Sequence, residues 1–185
     1  YARRLAESGC RVIVPVLINR DQTVNRISNR EFLYRSAFEL GRHLIGYEVQ
    51  KVLAAVDWFE REGAEPQAAK IGVIGWGEGG MLALYAGAID TRIDAVCVSG
   101  YFESRQEIWQ GPIYRNVFGL LEQFGDAELA SMIAPRTLIV EAAKGPEVVV
   151  PPGTGGAAPS RLTTPRLDNV RKELEGGRRR NSSHT

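Results

Sequence analysis

The stretch that decides the fold is Lys70–Gly87, KIGVIGWGEGGMLALYAG. Its first part, Ile71–Ile74, is a short apolar run typical of a buried strand, and Met81–Ala88 has the composition of an apolar helix that packs on a sheet. Between them lies the glycine-rich segment Gly75–Gly80, GWGEGG. Glycine accepts a left-handed backbone and permits close approach of two elements. The stretch therefore predicts a strand, a tight turn and a helix.

The glycine spacing indicates a nucleophile elbow whose nucleophile is missing. In the pattern G-x-S-x-G, a serine lies on a strained turn between strand and helix, where its hydroxyl stands clear of the sheet. Gly75 and Gly79 would be the flanking glycines, which let strand and helix pass without side chains between them. Gly77 then occupies the serine position. The sequence predicts a scaffold for acyl transfer without the attacking atom.

Two other interpretations of this turn stay open, although the elbow is favoured. Gly75, Gly77 and Gly80 also fit G-x-G-x-x-G, which cradles a dinucleotide pyrophosphate. That fingerprint usually opens the first βαβ unit, and an acid closes a strand about 20 residues later. Here the next predicted strand, Ile93–Ser99, ends in Ser-Gly, and Asp94 lies at its start. The remaining interpretation is a strand–turn–helix with a purely structural role.

Composition and charge exclude several classes of function. The chain has 185 residues, of which 44% are hydrophobic and 24% charged, and its formal net charge is +1. These values are typical of a globular domain and predict no nucleic-acid partner. No apolar run approaches the roughly 18 residues that span a membrane, so we expect no membrane partner. Cys10 and Cys97 give neither a disulfide framework nor metal-ligand spacing, and buried free thiols are expected. We expect no metal and no cofactor.

The chain as a whole alternates between predicted strands and helices. Arg11–Ile18 is a nearly continuous β-branched run, as in a strand buried on both faces. Tyr47–Arg61 has an apolar helical face and is followed by Gly63. The other predicted elements are helices at 1–8 and 30–40 and strands at 93–99 and 136–141. Repeated β-loop-α units predict an α/β fold with a mainly parallel sheet flanked by helices.

The composition changes near Pro151, which divides the chain into two predicted parts. Residues 1–150 form the expected α/β core. The second part, 151–185, begins with the Pro/Gly-rich loop Pro151–Ser160. Pro165–Glu175 can form one amphipathic helix, and the basic end from Gly176 onward, GGRRRNSSHT, is expected to be disordered.

The chain resembles the dienelactone hydrolase and acetyl-xylan-esterase-like branch of the α/β-hydrolases over most of Tyr1–Pro151. The resemblance rests on four segments, GRHLIGYEVQKVLAAVDWFE, GWGEGG, AVCVSGYF and FGDAELASMIAPRTLIVEA. It implies an α/β-hydrolase-like fold, truncated here at both ends, and hydrolysis of carboxylic esters. Small-molecule esters or carbohydrate esters would be the substrates. The compartment and the oligomeric state stay open, because the chain starts at Tyr1 inside a predicted helix.

Carried onto this chain, the family's catalytic machinery is incomplete. Gly77 occupies the nucleophile position, and the backbone N–H of Glu78 would be one donor of the oxyanion hole. The second donor belongs to a segment upstream of Tyr1. The family places an aspartate after the strand that ends at Glu141, and here Glu141 and Glu147 are the candidate acids, each with a shift in alignment.

The general-base histidine is also missing from its expected place. The family has it late in the chain, where only His184 lies, in a polar tail that cannot fix the ring. His43 comes too early and is expected to lie at the surface or cap a helix. The side chain of Glu78 is expected to be an exposed carboxylate favoured by the helix dipole rather than a substitute nucleophile, and Ser99 is expected to be structural.

A triad requires nucleophile, base and acid in hydrogen-bond contact. The sequence therefore predicts a fragment or a degenerate member of the family that is inactive as this chain. The alternative is a non-catalytic hydrolase-like domain that binds a ligand or partner at the vacant elbow.

Overall fold

The computed structural model describes residues 1–19, 21, 26–62, 69–152 and 156–181, with side chains up to 177. The helices are α1 (Ala2–Glu7), α2 (Asn29–Glu39), α3 (Leu44–Glu62), α4 (Glu78–Ile89), α5 (Leu120–Gln123), α6 (Asp126–Ile133) and α7 (Leu167–Asn181). The strands are β1 (Ile71–Trp76), β2 (Ile93–Ser99), β3 (Thr137–Glu141), β4 (Val148–Val150) and β5 (Ser160–Leu162).

A three-stranded parallel sheet in the order β1-β2-β3 lies at the centre of the fold. Trp76 pairs with Ser99, and Ser99 pairs with Glu141. The carboxyl ends of the strands therefore meet at one edge of the sheet. Parallel neighbours need a crossover, and α4 provides the one between β1 and β2. The predicted α/β class, with a mainly parallel sheet flanked by helices, is confirmed.

The core is built around α4, which is apolar on all sides. Residues 80–88 are all buried, because α4 packs on β1 and β2 and also touches α3 and α6. A helix that is hydrophobic all round needs such a central position. Gly87 lets the helix lie close to the sheet, since a Cβ there would come within 2.3 Å of Val96 Cγ2.

Apolar side chains on the opposite face of the sheet remain partly in solvent. Ile74 is 37% exposed, Trp76 50% and Ile139 53%. In α/β proteins, helices usually cover both faces of a parallel sheet. The residues that the structure describes cover this face only in part.

The strand predicted at Arg11–Ile18 is wrong. Residues 10–19 have an irregular backbone that lies along α3. Lys51 Nζ donates to the Val16 carbonyl at 3.1 Å, and the N–H of Ile18 donates to Glu48 Oε1 at 2.7 Å. A β-branched run forms a strand only when a neighbouring strand supplies its hydrogen bonds, and here side chains of α3 supply them instead.

The C-terminal part is more ordered than its composition predicts. β4 and β5 pair antiparallel on either side of the predicted loop. α7 continues past Glu175 to Asn181, into the segment expected to be disordered. The helix packs on α6 through the buried Val170. In addition, Glu173 accepts a hydrogen bond from the N–H of Ala127 at 3.1 Å. His184 lies outside the described residues.

The two thiols differ in burial. Cys97 is half-buried in β2, whereas Cys10 is exposed. The expectation of a buried thiol is therefore wrong for Cys10. Its place in the irregular segment beside α3, rather than in a sheet, explains the difference.

Candidate active site

Gly77 forms the apex of a sharp turn between β1 and α4. Its backbone has φ 56° and ψ −119°, a left-handed conformation that side-chain-bearing residues rarely adopt. The turn is held by two hydrogen bonds. The Gly77 N–H donates to the Ser99 carbonyl at 2.8 Å, and the Met81 N–H donates to the Gly77 carbonyl at 3.1 Å. The predicted strand, tight turn and helix are confirmed, with the apex at the carboxyl edge of the sheet.

Close approach of strand and helix makes glycine necessary at some positions of this turn but not at others. A Cβ on Gly75 would lie 1.9 Å from the Gly79 carbonyl oxygen, which no structure tolerates. At Gly80 the nearest atom, the Ser99 carbonyl oxygen, would be 3.1 Å away. A Cβ on Gly79 would meet nothing within 4 Å. The expected need for glycine therefore holds at Gly75, while Gly79 contributes only the backbone that Gly75 approaches.

A proline occupies the space above the apex. A Cβ on Gly77 would lie 2.7 Å from Cδ and 2.8 Å from Cγ of Pro146. The loop that carries this proline, residues 142–147, is fixed at the same edge of the sheet. Trp76 Nε1 donates to the Lys144 carbonyl at 2.8 Å, and a Cβ on Gly145 would come within 2.5 Å of the Gly100 carbonyl oxygen. The first atom of any side chain at position 77 would therefore collide with this loop.

The Glu78 side chain is buried and paired, which corrects the expectation of an exposed carboxylate. Only 6% of Glu78 is exposed, and its Oε1 contacts Nη2 of the fully buried Arg30. Arg30 Nη1 also lies 3.0 Å from Glu48 Oε1 and donates to the Ile18 carbonyl at 2.8 Å. A carboxylate in the core needs such a partner, because desolvation of an unpaired charge is costly. We call Arg30, Glu48 and Glu78 the paired arginine cluster.

The backbone of Glu78 remains the place where an oxyanion donor is predicted. Its N–H lies in the first turn of α4, where amide groups have no acceptor within the helix. The helix dipole adds positive potential at this end. The assignment of this N–H as a donor stays a prediction.

The candidate acid Glu141 is bonded away from the apex. Ser99 Oγ donates to Glu141 Oε2 at 2.5 Å, and Tyr1 Oη donates to the same oxygen at 2.8 Å. These bonds, the one from Ser99 first, lower the pKa of the Glu141 carboxyl below its usual value. Trp76 and Glu141 lie on the two outer strands, so about 10 Å separates their backbones, twice the usual strand spacing. The hydroxyl that donates to Glu141 belongs to Ser99 of β2, which is fully buried.

The second candidate acid and the early histidine also have other partners. Glu147 is exposed, and its Oε1 accepts from Thr164 Oγ1 at 2.9 Å. His43 Nε2 accepts from the N–H of Phe118 at 2.9 Å, and its ring lies 6.1 Å from that of Phe38. His43, the residue before α3, is thus bonded to the loop before α5. Within the described ranges, no hydrogen bond joins His43 to Glu141 or Glu147.

Sequence reasoning missed both Pro146 and the role of Arg30. Pro146 lies in KGPEV, where nothing in the local pattern indicates a contact with the glycine-rich turn. A signal did exist for the paired arginine cluster. Glu48 stands between apolar residues on the inner face of α3, where a charge requires a buried partner.

The model of the dienelactone hydrolase family matches residues 1–120. The chain belongs to this family. The match includes the glycine-rich segment Gly75–Gly80. Membership of this hydrolase family favours a nucleophile elbow over a dinucleotide loop as the interpretation of that segment. No curated protein matches the chain.

One similar solved structure is a carbohydrate esterase family 15 glucuronoyl esterase from Caldicellulosiruptor kristjansonii. Sequence identity is 19% and the TM-score is 0.49. The match covers 76% of this chain and 42% of the esterase chain, so the family member described here spans less than half of that esterase's length.

The described residues hold no obvious site for a metal ion, because no three His, Cys, Asp or Glu side chains come together in them. Among the helices of this part of the chain, none has the length and apolar content to cross a membrane.

Proposed function

We propose that Gly77 stands at the nucleophile position of an ester-hydrolase scaffold and that this chain does not hydrolyse carboxylic esters by a serine mechanism. The observation that carries the proposal is the contact above the apex. Position 77 has no side chain, and Pro146 fills the space in which one would begin, at 2.7 Å. An oxyanion donor alone gives only residual catalysis when the nucleophile is absent.

The partners of the remaining candidate groups support this proposal. Glu141 accepts from Ser99 and Tyr1, Glu147 accepts from Thr164, and His43 accepts from a backbone N–H. A general base must reach the proton that it removes, directly or through one water. The Ser99 hydroxyl donates to the carboxylate of Glu141 rather than to a histidine, and Ser99 is fully buried.

A non-catalytic binding domain is the second candidate function. The strained backbone of Gly77 and the close approach at Gly75 persist although no nucleophile uses them. In α/β folds, ligands bind beyond the carboxyl ends of the strands, which is where this turn lies. Small-molecule or carbohydrate esters are the ligand class that family membership suggests. Such a ligand would need the 142–147 loop to move away from Gly77.

A fluorophosphonate probe and p-nitrophenyl acetate test the proposal together. We expect no saturable labelling of any serine and no turnover above that of the heat-denatured chain, because Gly77 offers no oxygen. A Ser99→Ala variant is the control for unexpected labelling. Labelling that is saturable and is lost in Ser99→Ala would show that the nucleophile lies on β2 and would overturn the proposal.

A further inference from the structure

A second group of arginines lies in the loop that follows β2. Arg105 and Arg115 place their guanidinium carbons 4.8 Å and 5.5 Å from the ring centre of Tyr101. Arg115 is only 3% exposed, and Arg105 is half-buried. We call Arg105, Arg115 and Tyr101 the unpaired arginine cluster. In the ranges that the structure describes, neither guanidinium forms an ion pair or a hydrogen bond with a side chain or a carbonyl.

Buried hydrogen-bonding atoms in this cluster have no partner among the described residues. These are Nε of Arg105, Nε of Arg115 and Oδ1 of the adjacent Asn116. A buried donor without an acceptor is costly, and more so when it is charged. Most such groups in native structures have an acceptor, a water or an ion. A bound water or ion at this cluster would therefore satisfy these atoms.

The neighbouring acids form no ion pair with these arginines in the described part of the chain, although, against the opposing effect of burial, charges that include those of Asp126 and Glu103 raise the pKa of Arg105. Asp126 is fully buried and accepts from Tyr101 Oη at 3.2 Å and from the Glu103 N–H at 3.3 Å. Burial raises the pKa of Asp126 to about 7 and also raises the pKa of Glu103. Burial, followed by the charge of Arg105, lowers the pKa of Arg115. With a pKa of about 7, Asp126 carries only part of its negative charge near neutral pH.

Both arginines line a small cavity next to the apex of the elbow. Its volume is about 10 Å³, and Tyr101, Glu103, Pro146 and Thr163 form other parts of its wall, so the cavity holds one carboxylate beside the two guanidiniums. That is room for about one water molecule. A larger group enters only with an outward shift of Pro146 or Thr163. Pro146 is the residue that covers Gly77, so the cavity adjoins the turn.

We propose that Arg105 and Arg115 bind a small oxyanion, either a carboxylate or a phosphate group, between their guanidiniums. The planar fork of donors in arginine matches the paired oxygens of such groups. The anion would supply the acceptors that both Nε atoms lack and would separate two like charges that share one aromatic ring. This site does not depend on ester hydrolysis, so the proposal stands apart from the proposed function.

Inorganic phosphate and acetate are the probes. Each is titrated into the full chain at constant ionic strength, with chloride as the balancing anion, and binding is measured by calorimetry and by Tm. We expect saturable binding with a Kd on the order of 1 mM for at least one probe. Binding of phosphate alone indicates a phosphate site, and binding of acetate alone indicates a carboxylate site.

Two variants and a control locate the bound ion. Arg115→Gln and Arg105→Lys should each weaken binding at least tenfold, the second because lysine keeps the charge but not the fork. Arg105 is half-buried, so Arg105→Lys serves even if Arg115→Gln does not fold. Arg42→Gln changes an exposed arginine and should bind like the original chain. No saturable binding, or equal binding by all variants, overturns the proposal.

Discussion

The paired and the unpaired arginine clusters lie near the same edge of the sheet and differ in what surrounds the guanidinium. Arg30 is fully buried and meets carboxylates of Glu48 and Glu78. Arg115 is nearly as buried and has a tyrosine ring and another arginine as its neighbours. Arg30 Nε also has no hydrogen-bond partner among the described residues, so unpartnered buried donors occur in both clusters. The clusters differ because carboxylates of the chain contact the Arg30 guanidinium and fix the start of α4, whereas no described carboxylate forms an ion pair with Arg105 or Arg115.

The largest expected effect is a difference in the free energy of unfolding between one variant of each arginine cluster. Arg30→Met removes the buried guanidinium that contacts both Glu48 and Glu78, and removal of one partner from a buried pair costs about 3–5 kcal/mol. Arg115→Met is the matched variant, and it removes a charge that no described carboxylate pairs. We expect its free energy of unfolding to fall by only about 1 kcal/mol, because the contact that is lost is the one with the Tyr101 ring. Urea unfolding of both variants measures the difference, and equal losses would contradict the comparison.

The second test uses the pH dependence of the unpaired cluster. The folded pKa of Asp126, about 7, lies above its ordinary value of 3.8, so the native chain binds this proton more tightly than the unfolded chain. The contribution of this proton to the free energy of unfolding is fully present below about pH 4. It is lost as the pH rises towards 7, and the loss is on the order of 2–4 kcal/mol. The groups that act on Asp126 are Arg105, Glu103, Tyr101 and Glu173. Tyr85 and Arg115 act in turn on Tyr101.

Asp126→Asn is the variant that isolates this titration. Its free energy of unfolding should vary less between pH 4 and 7 than that of the original chain, because asparagine binds no proton. Urea unfolding at a series of pH values measures both slopes. Parallel slopes would mean that Asp126 does not titrate in this range.

The turn between the two clusters gives a smaller effect. Gly77→Ser places a side chain on a left-handed backbone and against Pro146, and strain of this kind costs about 1–3 kcal/mol. Gly79→Ser is the matched control, because a Cβ there meets nothing within 4 Å, and we expect a change within about 0.5 kcal/mol. Thermal or urea unfolding compares the two. If Pro146 is the obstacle, Pro146→Gly should recover part of the loss in Gly77→Ser.

The same variant tests repair of the ester-hydrolase site. We expect Gly77→Ser to give no appreciable turnover of p-nitrophenyl acetate, because triad members act as a unit and, among the described residues, His43 is bonded to the N–H of Phe118. A gain above roughly a hundredfold would be evidence that a base reaches position 77. His43 and His184 would then be the residues to substitute.

Local features of the fold could be predicted from the sequence. The glycine-rich turn and the apolar runs beside it predict β1, Gly77 at the apex and α4, because apolar pattern and backbone clearance are encoded within a few residues. The bounds of β2, Ile93–Ser99, also agree with the prediction.

Features that depend on distant partners could not be predicted. The β-branched run Arg11–Ile18 has the composition of a strand, but without a neighbouring strand it lies along α3. The contact of Pro146 with Gly77 and the pairing of Arg30 with Glu78 join residues far apart in the chain. Neither leaves a periodic signal. At the candidate site, the position of Gly77 at the apex could be predicted, and its assignment as the nucleophile position stays a prediction. The partners of Glu141, Glu147 and Glu78 required the structure.

The hydrogen bond from the Trp76 indole to the Lys144 carbonyl makes this tryptophan an optical reporter of the edge. Its ring is half exposed and is held by the same loop that carries Pro146. Lifting the loop would release the indole N–H to water and shift the emission towards the red. With Trp58 and Trp109 replaced by phenylalanine, fluorescence would follow the uncovering of Gly77 in real time, without a substrate or a label.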